Sequence, residues 1–144
     1  MTAVDTNILV YAHREDSVHH EAALVTIKRL AEGTVAWAIP WPCLHEFLAI
    51  VTHPRIYKPP TPLADALIQA DRWMDSPSVV FLAEDSAGYW PALRDLLVAG
   101  GVVGPRVHDA RVAAICLRNG VDRLLSADRD FSRFPNLRVV NPLL

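Results

Sequence analysis

The run Val79-Val80-Phe81-Leu82 narrows most sharply what this chain can fold into. A short, unbroken apolar segment is the pattern of a strand covered on both faces, as in parallel sheets flanked by helices. Shorter β-prone pieces recur at residues 3–4, 35–39 (stopping at Pro40), 123–126 and 137–140. Between them lie stretches with helical periodicity. Residues 7–12 begin one; a second starts at Ser17, carries Ala23, Leu24, Ile27, Leu30 and Ala31 on one face, and stops at Gly33. Pro42 suits the first turn of a helix reaching about His53, and Thr61 is placed to cap one over 63–75 after the rigid Pro59-Pro60-Thr61-Pro62 connector. Further helices are predicted over 86–98 and 105–119, the latter with Gly120 just past its end. Strands that alternate with helices make an α/β protein whose parallel sheet is wrapped on both sides.

With 144 residues, 51% of them hydrophobic and 21% charged, the chain has the size and composition of one globular domain spanning residues 1–144. Its net charge of -2 gives no global basic field, although seven of the 14 basic residues (Arg106, Arg111, Arg118, Arg123, Arg129, Arg133, Arg138) follow residue 105. Cys43 and Cys116 have apolar neighbours and no metal or redox spacing, so they read as buried free thiols in a reducing compartment. No charged leader precedes Asp5 and no apolar run approaches the length of a membrane span, which points to a soluble, cytoplasmic protein with no membrane partner.

Four carboxylates fall where solvated acids are not expected. Asp5 interrupts two apolar runs just after the first strand, and Asp128 follows the strand at 123–126. The carboxyl ends of strands are where open α/β sheets place their ligand sites. Glu46 shares a helical face with Cys43, Phe47 and Ile50, and Asp109 shares one with Val112, Ala113 and Cys116. Each has a plain alternative as a helix cap or an ion-pair partner. Taken together, four converging carboxylates would repel and take up protons unless a cation compensated them. Oxygen ligands without His or Cys suit Mg²⁺ or Mn²⁺, which support phosphoryl chemistry by activating water and steadying the leaving oxygen. Asn7 and Ser126 are natural donors to orient those carboxylates.

In the order Val4-Asp5-Thr6-Asn7, Leu44-His45-Glu46-Phe47, His108-Asp109-Ala110-Arg111-Val112-Ala113-Ala114 and Leu125-Ser126-Ala127-Asp128-Arg129-Asp130-Phe131, the chain resembles the PIN domains, and among them the VapC-type toxins of toxin–antitoxin pairs. The resemblance spans nearly the whole length. It implies a three-layer α/β/α sandwich with a mainly parallel central sheet, and a Mg²⁺-dependent endoribonuclease (Mn²⁺ substituting) that works as a homodimer and is held in check by a small antitoxin. Carried over by position, it makes Asp5, Glu46, Asp109 and Asp128 the catalytic acids, with Asp5 and Asp109 as direct metal ligands. Thr6 and Asn7 hold the loop at Asp5. Ser126 stands where the family usually has Thr, which keeps the hydroxyl. Asp130, two residues after Asp128, is the alternative fourth acid; Asp128 is favoured because it directly follows the strand end. The reaction implied is hydrolysis of an RNA phosphodiester by metal-activated water, leaving a 5′-phosphate and a 3′-hydroxyl.

Rival readings have weaker support. A zinc-protease helix needs a second His at position 49, which is Ala; an aspartate-based phosphatase needs an acid at position 7, which is Asn. A non-catalytic RNA- or protein-binding PIN domain is the remaining alternative, although all four acids are present. Arg55 and Lys58 are candidate phosphate contacts, and Trp41, Trp73 and Trp90 are either base-stacking surfaces or core and dimer contacts.

Overall fold

The computed structural model describes residues 1–144. Five short strands, β1 (Thr2–Val4), β2 (Trp37–Pro40), β3 (Val79–Leu82), β4 (Arg123–Leu125) and β5 (Val139–Val140), form one sheet in the order β3-β2-β1-β4-β5. Every neighbouring pair is parallel. Six helices connect them: α1 (Thr6–His13), α2 (His20–Glu32), α3 (Trp41–Val51), α4 (Leu63–Met74), α5 (Tyr89–Gly100) and α6 (Val107–Arg118). Short 3₁₀ turns at Gly104–Arg106 and Arg129–Arg133 precede α6 and follow β4. No helix is long and apolar enough to cross a membrane.

Strand order fixes the layers. Right-handed crossovers from β1 to β2 and from β2 to β3 run in one direction along the sheet and put α1 to α4 on one face. The crossover from β3 back past β1 to β4 runs the other way and puts α5 and α6 on the opposite face. The packing agrees: α1 lies against α2 and α3, α3 against α4, and α5 against α6. The result is an α/β/α sandwich. β1 and β2 are its buried centre, with Ala3, Val4, Trp37, Ala38 and Ile39 inaccessible to solvent. Phe47 from α3 and Ile115 from α6 close over the two faces, also at 0% exposure.

Three local expectations are corrected. Val79–Leu82 is a strand, but it lies at the sheet edge with β2 as its only neighbour, and Val80 is 40% exposed. An apolar run reports covered side chains but carries no information on how many strands flank it. Thr61 does not cap α4, whose N-cap is Pro62; its hydroxyl is instead turned inward to the His13 ring and to Arg14. The second helix begins at His20, three residues after Ser17, because the Ser17 hydroxyl takes the His19 N–H at 3.1 Å in a local turn. The end of α6 is as expected: Gly120 sits at a φ of +69°, a left-handed position that Gly takes without strain.

Candidate functional site

The sheet order reverses beside β1, since the chain grows outward on one side through β2 and β3 and then returns to add β4 and β5 on the other. Parallel sheets open a crevice at that point, outside the carboxyl ends of the two strands. Asp5 directly follows β1 there, and Ser126-Ala127-Asp128 follow β4. The Asp5 N–H donates to the Leu125 carbonyl at 2.9 Å, which ties the two strand ends together.

Asp5 is 7% exposed. Each of its carboxylate oxygens takes one strong and one weak donor. Oδ1 accepts the Thr6 N–H at 2.8 Å and the Cys43 thiol at 3.5 Å. Oδ2 accepts the Ser126 hydroxyl at 2.7 Å and the Asn7 amide at 3.4 Å. Burial pushes the Asp5 carboxyl above its ordinary range, while the hydrogen bond from Ser126 is the largest influence pulling it back. Asp5 is also the N-cap of α1, so the plain reading of this residue holds alongside any other role.

Ser126 has no spare capacity. Its one proton goes to Asp5, and its oxygen accepts the Asn7 amide at 3.2 Å and the Asp128 N–H at 3.0 Å. Asn7 completes the link by accepting the Ala127 N–H at 3.1 Å through Oδ1. Thr6, from the same turn, donates its hydroxyl to Glu46 Oε2 at 3.2 Å. Glu46 itself is exposed at the rim, not lined up with the buried face of α3 as its spacing from Cys43 and Phe47 suggested. Helical spacing fixes an angle to about one residue, and Glu46 lies at the border of the apolar stripe.

Asp109 projects from the first turn of α6 towards the turn after β4. Single oxygens of Asp109, Asp128 and Asp130 all lie within 4.8 Å of one another. Asp128 caps the 129–133 turn by accepting the Asp130 N–H at 2.8 Å, and that turn is pinned by Phe131 and Phe134, each 1% exposed. Thus both candidate fourth acids face Asp109. Burial, followed by the charges of Asp128, Asp5, Asp130 and Glu46, pushes Asp109 up to about 6. Asp109 thus feels the other four carboxylates, and the one cation at ion-pair distance from any of the five is Arg106, whose Nη2 stands 3.6 Å from Asp130 Oδ1. The donor set fits a hard divalent cation: it holds only oxygen, it is partly buried, and it is left in mutual repulsion by the protein itself.

Other sequence candidates lie elsewhere. Residues 53–62 dock on the carboxyl end of α1, where Arg14 donates to the Pro59 carbonyl and stacks over Tyr57, so Arg55 and Lys58 belong to the opposite end of that helix from Asp5. Trp73 is core, packed edge-on to Phe47, whereas Trp41 and Trp90 are exposed. The late arginines do not form one face: Arg111 pairs with Glu84 and Arg118 with Asp85, away from the acids, while Arg106, Arg129 and Arg133 surround the turn that bears Asp128 and Asp130. Cys43, expected only as a buried thiol, lies beneath Asp5. Its placement one helical turn before Glu46 carried that signal.

A doubly wound parallel sheet with clustered acids at its switch point defines an α/β protein whose ligand site lies at the carboxyl ends of its central strands. A PIN domain profile matches residues 2–137, and the chain belongs to the PIN-domain family. It is 36% identical over 143 residues to Ribonuclease VapC43 of Mycobacterium tuberculosis, a match covering 99% of this chain and 96% of that one. Among solved structures it is similar in fold to VapBC2 from Rickettsia felis bound to a promoter DNA fragment, with a TM-score of 0.67, 20% identity and 97% of both chains covered. The sarcin–ricin loop cleaving toxin VapC20 of Mycobacterium tuberculosis matches with a TM-score of 0.66 and 17% identity, over 92% of this chain and 93% of that one.

Proposed function

We propose that this chain is a single-domain, Mg²⁺-dependent endoribonuclease that acts in the cytoplasm as the toxin of a toxin–antitoxin pair, with Mn²⁺ able to substitute. The observation that carries the reading is the group Asp109, Asp128 and Asp130 at the β1/β4 switch point, with single oxygens within 4.8 Å of one another and Asp5 buried beside them, countered at ion-pair distance only by Arg106. The named ribonuclease relatives over nearly the full length support the same activity and the toxin role.

Asp5 and Asp109 would hold the ion, with Asp128 as the fourth acid and Asp130 beside it. When bound, the ion supplies positive charge for a phosphodiester approaching the carboxylates and makes water more acidic there. The protein's own part is orientation. Thr6, Asn7 and Ser126 fix both oxygens of Asp5, so this carboxylate loses no freedom when a ligand arrives. Glu46, exposed at the rim and steadied by Thr6, or Asp128 would orient the attacking water or take its proton. Hydrolysis in this sense leaves a 5′-phosphate and a 3′-hydroxyl. The antitoxin that restrains it would present a basic side chain to the same acids, and a second copy of the chain completes a homodimer.

The test is RNA cleavage by purified protein with Mg²⁺, with excess chelator, and after Asp5→Asn. Cleavage lost in the last two while circular dichroism stays native is the expected outcome. Undiminished cleavage by folded Asp5→Asn would overturn the assignment.

A further inference from the structure

A cleft of about 520 Å³ opens beside the acids, lined by Arg106 and Arg133 together with Asp109 and Asp130. A separate cavity of about 630 Å³, mainly apolar, is lined by Asp128, Arg129 and Phe131 among others. The two share the 129–133 turn, and its geometry sorts the residues. In a 3₁₀ turn, side chains three apart eclipse, so Asp130 and Arg133 face the same way.

The two arginines are held in place but keep most of their donors. Arg133 Nη1 gives one hydrogen bond, at 3.2 Å, to the carbonyl of Gly100, the last residue of α5 and one of its unpaired terminal acceptors. Arg106 closes the 3₁₀ turn before α6, one helical turn ahead of Asp109. Its 3.6 Å approach to Asp130 is too long for a charge-assisted hydrogen bond, and both side chains are nearly half exposed, so little opposes its turning to another anion. Arg111 and Arg118 differ, with carboxylates at 2.6 and 2.9 Å. A cluster of acids repels a polyanion, so a strand that is to lie across it needs cations close by.

We infer that this cleft receives the phosphate next to the scissile one on an RNA strand, and that Arg106 and Arg133 are the positioning residues that grip it. The inference rests on the ribonuclease reading above and gives that reading a direction: the strand leaves the acids over the Arg106–Arg133 side, while the apolar cavity takes no backbone phosphate.

The experiment uses a short single-stranded oligoribonucleotide, the wild-type protein, an Arg106→Ala/Arg133→Ala double variant and the corresponding double Lys variant. Cleavage is followed with Mg²⁺ at graded salt, and binding is followed by fluorescence anisotropy with chelator present. The Ala double variant should raise KM about tenfold with kcat within about twofold. It should also flatten the slope of log affinity against log salt by about 0.7, the contribution of the one single-strand phosphate that the two arginines grip. The Lys double variant should recover the salt slope but only part of KM, because an ammonium lacks the planar fork. Circular dichroism should match wild type throughout, and Mn²⁺ uptake should be retained in both variants. Unchanged KM and salt slope in the Ala variant, or a fall in kcat alone, would overturn the inference. RNA bound through these arginines but never cut by wild type would overturn the ribonuclease reading and leave the phosphate cleft standing. No binding and no cleavage by wild type would overturn both.

Discussion

The two ends of α1 carry polar clusters built on opposite plans. At its carboxyl end the Arg14 charge is fully answered. Arg14 pairs with Asp16 through two hydrogen bonds of 2.9 and 2.6 Å, donates to the Pro59 carbonyl and the Thr61 hydroxyl, and lies 4.2 Å from the centroid of the Tyr57 ring. His13 bridges Thr61 and Gln69 beside it. At the amino end, Asp5 is buried among further acids, and its hydrogen bonds orient it without neutralising it. One cluster fastens the 53–62 loop to the helix; the other keeps a repulsion that a ligand can relieve. The contrast separates a polar network that stabilises from one that costs stability to stay ready for a partner.

Substitutions at the two ends should therefore behave in opposite ways. The largest effect is expected from Asp109→Asn, which should lower RNA cleavage by about a thousandfold or more while raising the melting temperature of the metal-free protein, because one member of a repelling set becomes neutral. Parallel kinetics and thermal melts in chelator check both signs. Ser126→Ala should weaken divalent-ion binding about 10- to 100-fold by removing the strongest donor to Asp5, whereas Ser126→Thr should stay close to wild type; calorimetric titration distinguishes them. Arg14→Ala should cost about 2 kcal/mol of stability in denaturant titrations and leave kcat and KM unchanged, since it touches only the compensated cluster. A loss of activity in folded Arg14→Ala would erase the distinction between the two ends.

The smallest effect is on pH dependence. Asp109 titrates near 6 in the folded protein, above its ordinary 3.8, so the folded state holds the extra proton between those values. Its contribution to stability is present at low pH, is lost as pH rises through that window and is level above it. Raised Asp5 acts in the same direction. In chelator, the wild-type protein should thus lose more stability between pH 4 and 6 than Asp109→Asn does, and saturating Mn²⁺ should abolish the difference. The opposite ordering would contradict the account.

Much of this was legible in the chain, and the limits have physical reasons. Asp5, Asn7 and Ser126 were marked by short-range features: a carboxylate between apolar runs, and hydroxyl and amide groups at strand ends. The alternation of strands with helices led to a covered parallel sheet. Strand order is decided by crossovers between distant segments, so nothing local in Val79–Leu82 distinguishes an edge from a centre. Thr61 has the look of a cap because its use in binding His13 and Arg14 depends on a contact nearly fifty residues away in sequence. Sequence position alone makes Asp128 and Asp130 rivals for one role, yet a tight 3₁₀ turn lets both reach Asp109. That seven basic residues follow residue 105 does not tell which face each takes, and α6 divides them: Arg111 and Arg118 point to Glu84 and Asp85, and Arg106 stays with the acids.

The central claim is that the β1/β4 acids hold a divalent cation on which RNA cleavage depends. Calorimetric titration of Mn²⁺ into wild type and Asp109→Asn at pH 7.5, followed by cleavage assays on the same samples, tests it most directly. Saturable uptake by wild type, its loss in a folded Asp109→Asn, and cleavage that rises in step with occupancy are the predicted results. Equal uptake by the two proteins, or cleavage that proceeds at full rate without the ion, would contradict the account.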